Sequence, residues 1–431
     1  MSKSFQGLGA LDNGAHVVVI GGGPGGAGTA LALQNQARQM GRRIHITLFE
    51  GKVFAGEHHF NQCVGVLSPP IDTILQDLLG VPFPRHLVQR EIAGYYLHSD
   101  DRAILLESDD PPAYAVRRVQ FDNYMLDQVR AGGIEVVTGR VTDLEFHADR
   151  VIVYSEGGIK EVDVVVGAFG SDDGTAVVFE RATDYRAPRF LSSIVTKIHP
   201  RPDLMDAFGN HIHAFLPSTP GIEFGAVTPK GNHLTINIAG GKVDAEMMDY
   251  FLRSAALRSV VACLEDAQSK RDLTFFKGRF PISQARGFYG DRYVIVGDAA
   301  GMVRPFKGKG VNSAMQTGAW AAQTLLTAGI SARALREYHK ACSDITRDLP
   351  YGKAMRVLAI DLSKWHLLDT VIALAEQDAH LRHMLFGAVS GHQMYREIVR
   401  GMLDARWLAR MAGLLVALPV RARWQKARVR V

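Results

Sequence analysis

Cysteine is scarce in this chain of 431 residues, which has only Cys63, Cys263 and Cys342. Three thiols so far apart cannot frame a disulfide-stapled fold or a zinc knuckle, and they point to a reducing compartment. A 4Fe–4S cluster with four cysteine ligands is excluded by the same count. Residues 1–15 hold no apolar run long enough for a signal peptide, so the expected location is cytoplasmic. No internal repeat or low-complexity linker is visible. Acid is short at one end: residues 400–431 carry eight Lys and Arg against Asp404 alone. The net charge of +5 therefore belongs to that tail, and the high pI gives no nucleic-acid partner. Beside the tail, Met411 to Val420 is an apolar run too short to span a bilayer. It reads either as an interfacial helix in peripheral contact with anionic lipid or as a C-terminal helix on its own core with a solvated basic end.

What the chain has in quantity is glycine, 43 residues, with apolar residues at 47%. That composition suits a globular enzyme with many tight turns and is long enough for two or three domains. His16 to Ile20 reads as a buried parallel strand. Gly21 to Gly26 follow, then a helix to about Met40 and a strand from Ile44 to Phe49 that ends at Glu50. This is a complete βαβ unit. Further parallel-type strands are Val162 to Ala168 and Tyr293 to Val296, the latter followed by a helix from about Val311 to Thr327. Residues 63–112 are Pro-rich and read as loop. Alternating runs (His211, His213, Phe215; Leu234, Ile236, Ile238) predict a half-exposed antiparallel sheet. From about residue 350 the spacing of Trp365, Leu368, Ile372 and Ala375 is helical.

Gly21 to Gly26 satisfy G-x-G-x-x-G in the context that gives this spacing meaning, between a strand and a helix. Gly21 permits the tight turn, Gly23 lets a pyrophosphate approach the backbone, and Gly26 allows close helix packing. The helix N-terminus offers free N–H groups and the positive end of its dipole. Glu50 would accept hydrogen bonds from the ribose hydroxyls, which favours FAD or NAD over NADP. A second segment decides between these two. Gly297 and Asp298 end a central strand, and Pro305, Gly308, Gly310 and Asn312 lead into a small-residue helix. Asp298 would hold a ribityl chain, and the helix start would place positive potential by an isoalloxazine ring. The expected cofactor is FAD.

On these two motifs residues 15–330 resemble the glutathione-reductase-type flavoproteins, within them the group of geranylgeranyl reductases, flavin monooxygenases and halogenases. Arg118, Phe121 and Asp122 look like the group's Arg-x-x-Phe-Asp, whose arginine lies near the FAD; Arg117 is the alternative inward-pointing residue. Asn61 to Pro69, with Cys63, looks like the cysteine-containing loop of geranylgeranyl reductases. The resemblance implies that Cys63 lines the active site, where it would protonate a double bond during its reduction or shape the pocket; the bland reading is a small buried hydrophobe.

Pro220 to Pro229 looks like an altered reductase signature, with Ala226 where the signature has Trp and Thr228 where it has Phe. The Trp-x-Trp-x-Ile-Pro of tryptophan halogenases is absent. Phe169 replaces the aspartate of the aromatic hydroxylases' Ala-Asp-Gly. No second G-x-G-x-x-G is visible, so electrons would come from transient NAD(P)H contact or from a reduced carrier protein. Lys307 and Lys309 would stabilise reduced flavin or bind an anionic head group, or else are solvated. His58-His59 and His211 with His213 lack the partners of a metal site, and no metal is expected.

The expected architecture is α/β, mixed α+β. A Rossmann-like FAD-binding domain (1–62, 113–185, 279–345) is interleaved with an antiparallel-sheet substrate domain (63–112, 186–278), and a helical C-terminal region follows (346–431). The expected function is reduction of a carbon–carbon double bond in a small hydrophobic, isoprenoid-type substrate. The alternatives are a flavin-dependent monooxygenase or halogenase, a quinone-linked electron-transfer flavoprotein dehydrogenase without a cluster, and a prenyl carrier without flavin.

Overall fold

The structure is a computed structural model that describes residues 7–54, 63–261, 273–304, 310–404, 407–410 and 412–413. Its first sheet has six strands in the order Tyr289–Gly290, Tyr293–Ile295, Val164–Gly167, His16–Ile20, His45–Glu50, Glu135–Thr138. All neighbours are parallel except the Tyr289–Gly290 edge. The valine runs form its centre because such strands are buried on both faces: Val17, Val18, Val19, Val164, Val165 and Val166 are all buried. Helices Pro24–Gln39 and Gly310–Thr327 lie against one another beside this sheet. Their crossing is close because it is built from glycine. A Cβ on Gly318 would stand 2.5 Å from Thr29 Oγ1 and 2.9 Å from the Gly25 carbonyl oxygen.

A second sheet has seven strands in the order Phe276–Pro281, Phe190–Ile198, His233–Gly240, Phe224–Lys230, His211–Phe215, Gly94–His98, Ala103–Glu107. Five of its pairings are antiparallel, whereas His211–Phe215 runs parallel to Gly94–His98. The sheet departs from the half-exposed expectation, since His233–Gly240 is buried at every position. Its outward face is covered by helix Ala245–Arg253 through Met248, Phe251 and Leu252, and its inward face borders a cavity.

Residues 63–112 are not loop. They supply strands Val66–Leu67, Val88–Ile92, Gly94–His98 and Ala103–Glu107 and a helical turn over residues 71–78. Helices Ser343–Lys364, Leu368–Ala375, Ala379–Ser390 and Tyr395–Met402 form the C-terminal part. Leu368, Ile372 and Ala375 are buried as their spacing requires, but Trp365 caps the preceding helix and is exposed. Among the described residues no helix is long and apolar enough to cross a membrane. Most of Met411 to Val420, and the basic tail from 421 onward, lie outside the described residues.

Candidate active site

The first glycine turn has the shape a dinucleotide requires. Gly21 has φ +106°, and a Cβ there would stand 2.5 Å from the Ala168 carbonyl oxygen. A Cβ on Gly26 would stand 1.7 Å from the Gly21 carbonyl oxygen, so helix and turn touch only because Gly26 lacks one. Gly23 is different: no atom lies within 4 Å of the position a Cβ would take, and the residue borders the cavity. That open space, at a helix N-terminus with no side-chain cap, fits the pyrophosphate of FAD. Glu50 Oε2 accepts from the Gly22 N–H at 2.7 Å, and Oε1 accepts from the Lys52 N–H at 2.7 Å. Burial holds the Glu50 carboxyl above its ordinary pKa, against the pull of those two N–H groups. Each oxygen keeps a lone pair for a ribose hydroxyl.

The second segment meets the first across the same cavity. Gly297 has φ +62°, and its N–H donates to Thr317 Oγ1 at 3.0 Å. Asp298 lies against the start of the following helix, its Oδ1 3.1 Å from where a Gly310 Cβ would stand. Burial raises the Asp298 pKa, and the Arg118 charge opposes the rise. Gly21, Gly23, Glu50, Gly297, Asp298 and Gly310 all line this one cavity. Asn312 is buried, and its Nδ2 donates to the Ser68 carbonyl at 2.9 Å, which ties the helix to the loop after Cys63. Pro305, Gly308, Lys307 and Lys309 lie outside the described residues, as do His58, His59 and Cys263.

Arg118, not Arg117, is the inward arginine. Its side chain is 13% exposed and forks Asp122, itself 2% exposed, with Nη2 3.0 Å from Oδ1. Nη1 reaches Cys63 Sγ at 3.9 Å. Burial disfavours the guanidinium charge, but the ion pair with Asp122 outweighs it and holds the group firmly protonated. Cys63 therefore stands on the cavity wall beside a fixed cation.

Sequence reasoning missed Lys230. It is 2% exposed, and its Nζ donates to the Val116 carbonyl at 3.1 Å. Gly65, at φ +73°, leaves room for it: a Cβ there would stand 2.9 Å from Nζ. Burial lowers the lysine pKa to about 8. Also missed was the pair Arg356–Glu223 on the cavity wall, with contacts of 2.5 and 2.6 Å. Neither had a local signal, because each joins residues from distant elements. The cavity encloses about 730 Å³, enough for a sizeable ligand. His98 and His213 are 2.9 Å apart, and burial lowers their pKa values to about 4 and about 3. His211 Nε2 lies 2.9 Å from Glu107 Oε1.

No known family profile matches the chain. Over 282 residues it is 24% identical to digeranylgeranylglycerophospholipid reductase 1 of Methanosphaera stadtmanae, a match covering 62% of this chain and 68% of that protein. Over 213 residues it is 22% identical to the mitochondrial electron transfer flavoprotein-ubiquinone oxidoreductase of Caenorhabditis elegans. That match covers 46% of this chain and only 33% of the relative's length. Among solved structures, a geranylgeranyl bacteriochlorophyll reductase-like protein of Thermoplasma acidophilum superposes with a TM-score of 0.66 at 18% identity, covering 91% of this chain and 100% of that one. The chain thus has the fold of the FAD-dependent oxidoreductases, in which geranylgeranyl reductase-like proteins stand beside flavin-dependent halogenases.

Proposed function

We propose that the chain is an FAD-dependent reductase that saturates a carbon–carbon double bond of a hydrophobic, isoprenoid-type substrate. The observation that carries this reading is the position of Cys63. It lines the cavity into which both glycine segments open, 3.9 Å from Arg118. Residues 21–26, Glu50, Arg118, Gly297, Asp298 and Gly310 would hold FAD, with Pro305, Gly308 and Asn312 completing the second segment. When bound and reduced, FAD supplies a hydride equivalent.

The chain's own residues supply the rest of the reaction. Saturating an alkene takes one hydride and one proton, and the proton comes from Cys63 Sγ. The sulfur is left negative beside the Arg118 guanidinium, which stabilises that state, and solvent then restores the thiol. Asp122 keeps Arg118 in place through its forked ion pair. Leu97, Ile212, Ala214 and Phe224 face the cavity from the second sheet and hold the hydrocarbon away from water. A second reading, a flavin-dependent monooxygenase or halogenase, draws on the polar Thr228 and Asn237 in that wall.

Anaerobic turnover of the reduced holoenzyme with a polyprenol, read by product mass, tests the proposal. The expected product carries two added hydrogens and no oxygen. Cys63→Ala is expected to slow its formation by about 10²- to 10⁴-fold while flavin stays bound. A product that forms only with O2 and carries oxygen or halogen assigns the chain to the second reading.

A further inference from the structure

The second sheet turns one face to the cavity, and its register fixes which side chains share that face. Thr228 stands opposite Thr235, and Ala226 opposite Asn237. On the neighbouring strands Lys197 flanks Thr235, Val195 flanks Asn237, and Ala214 flanks Ala226. Since side chains alternate along a strand, Thr228, Thr235 and Asn237 form one compact polar patch within an apolar wall. Thr228 and Asn237 line the cavity itself. The three residues are only 1%, 0% and 7% exposed. Among the described residues, Thr228 Oγ1, Thr235 Oγ1 and Asn237 Oδ1 find no hydrogen-bond partner. Buried polar atoms left this way weaken the fold unless something else completes their bonds.

The nearby cations are turned to other contacts. Lys230 Nζ donates to the Val116 carbonyl, and Lys197 Nζ stands 5.9 Å from the centre of the Phe276 ring. The patch is therefore neutral: two hydroxyls that donate or accept, and one amide oxygen that only accepts. An acceptor-only group such as a carboxylate would leave Asn237 Oδ1 unmatched. A hydroxyl, which donates and accepts, answers both residues on the cavity wall, Thr228 and Asn237.

We propose that Thr228 and Asn237, with Thr235 beside them in the sheet, recognise a hydroxyl group on the substrate, whose apolar remainder lies against Val195, Ile212, Ala214 and Phe224. This rests on the reading of the cavity as the substrate site. It deepens that reading by naming the substrate as an amphiphilic alcohol rather than a bare hydrocarbon.

The test is binding of farnesol and of farnesyl methyl ether to the oxidised holoenzyme, measured by calorimetry without turnover. The alcohol is expected to bind about tenfold more tightly than the ether, which cannot donate. Thr228→Val and Asn237→Leu are each expected to bring that ratio towards unity. In the ligand-free protein neither should lower the melting temperature, because an apolar group of similar shape replaces an orphaned polar one. Equal affinities, no binding of either compound, a ratio unchanged in either variant, or a lowered melting temperature in either would each overturn the proposal. Tight alcohol binding without any double-bond reduction would instead sink the reductase reading and leave the patch standing.

Discussion

Asp298 is placed where its charge hinders folding and serves binding. Burial raises its pKa in the folded protein above the value of about 3.9 expected when unfolded. The folded state thus binds the proton more tightly than the unfolded chain does. Stability of the ligand-free protein should fall as pH rises from about 4 through the folded pKa. Asp298→Asn removes the group that titrates. We expect a higher melting temperature than wild type for ligand-free protein at pH 7, and little difference at pH 4. Calorimetry at the two pH values checks this, and an equal gain at both would contradict it.

Asp298 and the glycines were legible in the sequence because their chemistry is local, set by what one turn can hold. Arg118 was legible only to within one residue, since Arg117 and Arg118 differ in direction and a string of letters carries none. Lys230 gave no sign of burial, because its partner, the Val116 carbonyl, lies 114 positions away.

At the scale of elements, the two helices beside the parallel sheet carry both nucleotide segments, so their crossing fixes the distance between them. Gly28 and Gly318 set that crossing; a Cβ on Gly28 would stand 3.2 Å from Met315 Cα. Gly318→Val would push branched carbon into Thr29 Oγ1 and the Gly25 carbonyl. Overpacking of this kind costs about 1–3 kcal/mol. Urea denaturation should show a loss in that range, accompanied by weaker FAD retention as Gly25 and its turn shift. A variant that retained full stability and flavin would show that the crossing tolerates a branched side chain.

The parallel strands were readable because burial on both faces leaves continuous valine runs. The stretch 63–112 was misread because its strands are short and lie among Pro69, Pro70, Pro82, Pro84, Pro111 and Pro112. All but Ala103–Glu107, which closes a hairpin with Gly94–His98, also pair with strands outside the stretch. Gly94–His98 pairs with His211–Phe215, and Ala113–Val116 with Val66–Leu67 and Val88–Ile92. His233–Gly240 alternates in sequence yet is buried at every position, because its polar side is turned inward, with Asn237 on the cavity wall.

At the scale of the molecule, the cavity is bounded by three parts of the chain that no local pattern joins. The parallel sheet brings the two glycine segments, and the antiparallel sheet brings the apolar wall with its polar patch. The C-terminal helices add Arg356, Ala359, Ile360 and Val389. Arg356 reaches the second sheet through Glu223 and closes that side with a forked ion pair. Neither residue stood out in the sequence, because a charged pair across 133 positions leaves no spacing to read.

Everything the cavity is asked to do depends on one FAD spanning Gly23 and Asp298. The most direct measurement is the FAD extracted per chain from purified wild type and from Gly23→Val. Gly23 has ordinary φ, −68°, and empty space where a side chain would begin, so the substitution should leave the ligand-free fold intact. A single FAD spanning both segments requires stoichiometric FAD in wild type and at least a tenfold loss of affinity in the variant, because the added side chain fills the space of the pyrophosphate. A folded Gly23→Val protein that kept its full complement of FAD would contradict it.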